Sequence, residues 1–222
     1  MILPNLAYFR ARTTDEALAL RADHPRGRYM AGGTDLLPQV RCGRCNPVYQ
    51  QGSCTPPEAV IDIQGAAELG SIGEREDGSL ALGAAVPVAA VAAHPAVRTR
   101  YPLLADCCLE LGSYPLRNRA TVAGNICNAS PCADTAAALL ALDAEVEARS
   151  PAGTRRIPLA SYFLGPGQTA LSDGELVTSI VLPAAHPGPR VPAAAWPPPG
   201  GLRWDAVYGP EMPPPLARRG RL

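Results

Sequence analysis

The sequence predicts an α+β fold of two subdomains, and three observations carry that prediction. Its elements open as strand–turn–helix and continue as hairpins interleaved with short helices. Hydrophobic residues make up 47% of the 222 positions and charged residues 18%, a balance that supports a buried core and excludes a disordered chain. Composition then divides the sequence. Residues 1–183 read as ordered, with subdomains expected over roughly 1–60 and 61–183, whereas Ala184 to Leu222 hold 10 of the 25 prolines, both tryptophans, and five arginines against two acids. That last stretch reads either as a proline-rich partner ligand or flexible tail, or as GC-rich DNA translated out of frame.

The elements follow in order. Thr13 and Glu16 stand at capping-box spacing and open a helix to about Arg21. Arg28 to Ala31 reads as a short strand, Gly32-Gly33-Thr34-Asp35 as a tight turn, and Leu36 to Val40 as a short helix. Ala59 to Ile63 is a buried strand by its β-branched content. Asp77-Gly78 joins the strands Ser71–Gly73 and Ser79–Ala85 into a hairpin. Pro87 starts a helix to about Ala93, and a second helix is expected over Thr99 to Leu111. Pro151-Ala152-Gly153 turns between strands Ala144–Ala148 and Arg155–Pro158, and Leu176 to Leu182 closes the fold.

Charge and cysteine usage exclude several functions. Twenty basic and twenty acidic residues cancel, which argues against a nucleic-acid binder. Every basic residue is Arg, so Lys chemistry such as a Schiff base or a P-loop lysine is absent. The longest stretch of small apolar residues, Leu80 to Ala93, is broken by Gly83 and Pro87 and is too short for a membrane span. The N-terminus carries no signal core, and seven cysteines in a chain of this size are expected to be reduced thiols. A cytoplasmic protein is the expectation. Cys107, Cys108, Cys127 and Cys132 read as small packing residues. The three histidines form no triad or metal pair, so no catalytic residue is assigned.

Two segments carry the chemistry. In Tyr29-Met30-Ala31-Gly32-Gly33-Thr34-Asp35-Leu36 a strand delivers the chain to two glycines. These can take positive φ, so that successive N–H groups converge on an anion, with the Thr34 hydroxyl and a helix N-terminus at the same spot. An ordinary strand-to-helix turn would also account for Gly-Gly-Thr taken alone. The second segment, Leu116 to Asp134, offers small residues at Thr121, Ala123 and Gly124, amides at Asn125 and Asn128, and Asp134 just before the apolar run Thr135–Leu142. Asp134 suits either a helix cap or a carboxylate accepting from a ribose hydroxyl. Together the two segments suggest a dinucleotide held by backbone amides.

Ala31-Gly32-Gly33-Thr34-Asp35-Leu36-Leu37 and Arg117 to Ile126, followed by Ser130-Pro131-Cys132-Ala133-Asp134, resemble the FAD-binding (medium) subunits of the molybdenum hydroxylases. That family includes the medium subunit of aerobic carbon monoxide dehydrogenase and the FAD-binding domain of xanthine dehydrogenase. The resemblance implies a two-subdomain FAD-binding fold of the PCMH (vanillyl-alcohol-oxidase-like) type. It implies that Tyr29 to Leu36 wrap the FAD pyrophosphate, with Gly32, Gly33 and Thr34 closest. Thr121, Val122, Ala123, Gly124 and Asn125 would hold its second side, Asp134 the ribose, and Leu111 and Val177 would line the cofactor. It also implies partners, a molybdopterin-binding large subunit and a [2Fe-2S] small subunit, between which FAD passes electrons from iron–sulfur clusters to an acceptor.

Three departures qualify the resemblance. Ala123 stands where the family more often has Gly; a need for positive φ there would weaken FAD binding by roughly 1 kcal/mol or more. The family's C-terminal domain is missing where the proline-rich stretch begins, so the alternative is a truncated, non-catalytic remnant with weak or no FAD binding. Cys42, Cys45 and Cys54 have partial metal-ligand spacing, but no fourth ligand is placed to complete a site, so no metal is assigned.

Overall fold

A computed structural model describes residues 6–42 and 56–184. Cys45, Cys54, the side chain of Cys42 and all of the proline-rich stretch but its first residue lie outside the described residues.

The chain enters through β1 (Ala7–Arg10), α1 (Thr14–Asp23), β2 (Arg28–Met30) and α2 (Leu36–Cys42). β3 (Ala59–Asp62) then inserts between β1 and β2, parallel to both. Every residue of β3 is buried, which explains its unbroken apolar run ahead of Asp62. The buried Asp62 carboxylate is satisfied by the Tyr8 hydroxyl at 2.6 Å and the Gln64 N–H at 2.8 Å. At the start of α1 the Thr13 hydroxyl oxygen accepts from the Glu16 N–H at 3.1 Å, while the Glu16 carboxylate accepts from Arg12, one residue before the usual box partner. α1 runs to Asp23 and α2 to Cys42, each two residues past its expected end.

The second half is organised on an antiparallel sheet. β4 (Ile72–Glu74) and β5 (Leu80–Gly83) form the expected hairpin, with Gly78 at φ 76° in its turn. Then come α3 (Val88–Ala93), α4 (Pro95–Arg100) and α5 (Pro102–Glu110). The single helix expected over Thr99–Leu111 is therefore two. Pro102 has no N–H to continue the ladder and forces Tyr101 out of the helical region, to φ −134°, ψ 54°. Three short helices follow: α6 (Tyr114–Arg117), α7 (Val122–Cys127) and α8 (Ala136–Ala141). The hairpin of β6 (Glu145–Ser150) and β7 (Gly153–Pro158) comes next, then the small pair β8 (Phe163–Gly165) and β9 (Gln168–Thr169), and finally β10 (Leu176–Leu182).

β10 is the centre of the five-stranded sheet, whose order is β4-β5-β10-β6-β7. Six of its seven residues are buried, because it has neighbours on both edges and α7 packed against one face. The core beneath the helices is formed by Leu82, Leu104, Ile126, Leu139, Ile180 and the fully enclosed rings of Tyr101 and Tyr162. Val88 donates to the Ala120 carbonyl at 2.8 Å and Pro87 bridges to Thr121, which anchors the start of α7 to the α3 region.

Candidate functional site

The turn after β2 and the segment leading into α7 lie in backbone contact. A Cβ added at Gly32 would sit 2.2 Å from the Arg119 carbonyl oxygen and 2.8 Å from Ala120 Cα, so only glycine lets the two segments meet. Gly33 serves the turn itself, taking φ 72° while its carbonyl accepts from Leu37 to start α2. Of the two glycines, which can both take positive φ, Gly33 does so and Gly32 does not. A second tie crosses the same gap, where Gln39 Nε2 donates to Asn128 Oδ1 at 3.4 Å.

Between these segments is a cavity of about 330 Å³. Its walls include Tyr29, Met30, Ala31, Gly32, Gly33, Thr34, Asp35 and Leu36 from the first segment. From the second side come Leu111, Thr121, Gly124, Asn125 and Asp134. An adjoining cavity of about 500 Å³ is lined by Ala123 and Val177 together with the 167–176 region. Arg28, Tyr29, Ala31, Gly124 and Cys127 line both, so the two cavities adjoin at a neck of shared wall residues. Val122 is the exception among the expected residues: its side chain is 2% exposed, belongs to the core and lines neither cavity.

Local bonding fixes what each group can offer. The Thr121 hydroxyl oxygen caps α7, accepting from Gly124 N–H at 2.9 Å, which leaves its own proton for a ligand. Asn125 Oδ1 accepts from the Thr135 hydroxyl at 2.6 Å and the Thr135 N–H at 3.4 Å. Its amide nitrogen is thereby left uncommitted among the described residues. The cap position of α8 is Thr135, not Asp134, so the helix-cap reading of Asp134 does not hold; its carboxylate is exposed on the cavity wall. Ala123 is not among the positive-φ residues and sits within α7, so its methyl carries no backbone strain.

The charges in the cleft are uneven. Desolvation by the surrounding loops raises the carboxyls of Asp35 and Asp134 above their ordinary 3.8, and for Asp134 the nearby Glu110 adds to the shift. Burial pushes the Tyr29 hydroxyl up to about 12; it donates to the Gly174 carbonyl at 3.0 Å and pins the loop before β10 to the neck. In the larger cavity Arg21 pairs with Asp173, and Arg155 forks onto Glu175 with two bonds of 2.7 Å. Arg28 opens β2 with an exposed side chain whose positive charge acts on the Cys127 thiol.

Sequence reasoning misses two residues at the neck. Cys127, like Cys132, reads from the sequence as a packing residue; both line the smaller cavity instead. The Cys127 sulfur accepts from the buried Tyr162 hydroxyl at 3.5 Å, and the protein around it raises its thiol pKa. Arg28 precedes the glycine segment by a few residues and so escapes a motif-based reading; its place at the start of β2 is the signal that could have found it. Among the described residues no group of three or more His, Cys, Asp and Glu is placed to hold a metal ion, and no helix is long and apolar enough to cross a membrane.

The profile of the family described as the FAD binding domain in molybdopterin dehydrogenase matches residues 4–185. An Escherichia coli xanthine dehydrogenase FAD-binding subunit is 34% identical over 177 residues, covering 80% of this chain and 57% of the relative. The carbon monoxide dehydrogenase medium chain of Hydrogenophaga pseudoflava is 32% identical over 190 residues, covering 85% of this chain and 62% of that one. A solved structure of carbon monoxide dehydrogenase from the same organism superposes with a TM-score of 0.76 at 30% identity, covering 85% of this chain and 62% of that chain. The chain thus spans about three fifths of the length of these relatives, and its α+β architecture is the FAD-binding fold they carry. On sequence and fold alike, this chain belongs to the family of FAD-binding domains of molybdopterin dehydrogenases.

Proposed function

We propose that this chain is the FAD-binding, electron-transferring part of a molybdenum hydroxylase, and that the two-lobed cleft is its cofactor site. The observation that carries this reading is the contact of Gly32 with Arg119–Ala120, which builds one cleft from the two glycine-bearing segments. The residues present fit FAD. Two adjoining cavities that share part of their walls suit a molecule with a ring system at each end and a pyrophosphate between. The Asn125 amide nitrogen and the Thr121 hydroxyl proton supply donors, while the exposed Asp134 supplies an acceptor for ribose hydroxyls.

When bound, FAD supplies the redox chemistry by accepting and releasing electrons. The protein's part is to bind and orient it. Gly32 and Gly33 bring the backbone close to the phosphates, Tyr29 holds the 167–176 side of the neck in place, and Leu111 and Val177 exclude water from the cofactor. Partners follow from the same reading: a molybdopterin-binding large subunit carries out substrate oxidation and a [2Fe-2S] small subunit delivers the electrons. A reducing, cytoplasmic compartment belongs to the same reading.

The test is Gly33→Asp. Asp tolerates the left-handed conformation better than most residues, and the nearest atoms to its Cβ are the flexible ends of Met30 and Leu37, so folding is expected to survive. Its carboxylate would face the pyrophosphate. The parent chain is expected to retain flavin absorbance after incubation with FAD and desalting, and the variant to lose it while still unfolding cooperatively, at a midpoint lowered by the strain at φ 72°. Equal flavin retention by both would refute the site.

A further inference from the structure

The chain's zero net charge divides unevenly along its length. Ala184 to Leu222 carry five arginines against two acids, so residues 1–183 hold fifteen arginines against eighteen acids. The positive segment also contains both tryptophans. Indole rings and guanidinium groups together suit a surface that is both apolar and acidic.

α5 presents such a surface. Its buried side is Leu104, Ala105 and Cys108. The opposite side turns Leu103 and Leu109 outward, 39% and 56% exposed, and helical spacing sets the exposed Asp106 and Glu110 between them. Tyr114, just past the helix at the start of α6, is 70% exposed. Taken alone, this face is unfavourable. Asp106 and Glu110 are like charges four residues apart, and Glu110 puts an anion at the negative end of the helix. The ion pairs among the described residues include neither carboxylate. Burial and then the charges of Asp106, Asp134 and Glu110 raise the Cys107 thiol pKa, so three carboxylates gather about this half-buried sulfur.

The positive segment leaves the described fold beside this helix. The Tyr101 hydroxyl, from the N-cap residue of α5, donates to the Pro183 carbonyl at 2.6 Å. The neighbouring Arg100 guanidinium donates to the Ala184 carbonyl at 3.0 Å. Reach is ample: α5 spans about 13 Å, and the twelve residues from Ala184 to Trp196 cover about 37 Å in a polyproline conformation. We propose that segment 185–222 docks on the exposed face of α5, its arginines on Asp106 and Glu110 and its aromatic rings on Leu103 and Leu109. The covalent tether makes the contact intramolecular, so modest interactions suffice to hold it.

Trp196 and Trp204 are the chain's two tryptophans, so the tryptophan fluorescence of the full 222-residue chain reads this segment alone. The experiment compares the parent with Asp106→Arg/Glu110→Arg and with Leu109→Ser, all without FAD. The three positions are exposed, so neither variant is expected to lower the thermal midpoint. The parent is expected to emit at shorter wavelength than free tryptophan and to resist quenching by acrylamide. Both variants are expected to shift the emission to longer wavelength and to increase quenching, and salt should move the parent in the same direction. Solvent-like emission from the parent overturns the proposal. Unchanged emission in either variant overturns it too, since the tryptophans would then be covered elsewhere. Protection that disappears on dilution overturns it in favour of contact with a second copy. None of these outcomes bears on the FAD site.

Discussion

Gly32 and Ala123 look interchangeable as small residues in glycine-bearing motifs, yet the structure gives them opposite requirements. At Gly32 any side chain collides with the Arg119 carbonyl, a backbone atom that cannot move without separating the two halves of the cleft. At Ala123 the backbone is helical and the methyl is 4% exposed, packed in the core. The departure from the family's more common Gly therefore costs nothing in strain. Restoring that residue, Ala123→Gly, is expected to destabilise the ligand-free chain by about 1 kcal/mol, because glycine in a helix loses more entropy and buries less. FAD affinity is expected to stay within twofold or so, since no positive φ is relieved. Urea unfolding followed by FAD titration measures both; a large gain in affinity would contradict the helical placement.

Among elements, those with a strong local signal are legible in the sequence and those defined by tertiary contact are not. The α1 cap, the Asp77-Gly78 turn and the buried run of β3 declare themselves through residues that act within a few positions of one another. The break at Tyr101-Pro102 is also written in the sequence, through the constraint proline places on its predecessor, although the apolar run across it reads as one helix. α6 and α7 are harder: at four and six residues they are too short to show a period, and α7 is held by its Thr121 cap and by β10. The five-stranded sheet has its own electrostatic fastening. Arg75 from the β4–β5 turn forks onto Glu147 of β6 at 2.8 and 2.9 Å, and the Ser179 hydroxyl of β10 adds a bond at 3.2 Å. Pairing with Arg75 holds the Glu147 carboxyl below its ordinary 4.5. The folded state therefore binds this proton less readily than the unfolded chain, so the pair stabilises above pH 4.5 and the contribution is lost as pH falls through the lowered value. Glu147→Gln is expected to be destabilising near neutral pH, by about 1 kcal/mol given its partial exposure, and the difference from the parent should narrow on acidification. Thermal midpoints measured from roughly pH 3 to neutrality would show this; a constant gap would exclude the pair as its source.

At the scale of the whole molecule, the site exists because the chain returns to one place. The β2–α2 turn and the α6–α7 segment are far apart in sequence, yet Gly32 against Arg119 and Gln39 against Asn128 bring them together. The two segments can each be recognised in the sequence as ready to meet an anion. That they share one cleft, that Arg28 and Cys127 stand at its neck, and that Val122 turns away into the core depend on packing between distant elements. The most direct measurement is amide hydrogen exchange of the full chain with and without FAD, read over peptides covering residues 29–37 and 116–128. FAD is expected to slow exchange in both segments together, with one shared dependence on FAD concentration. Protection of one segment alone, or of neither, would contradict a single site built from both.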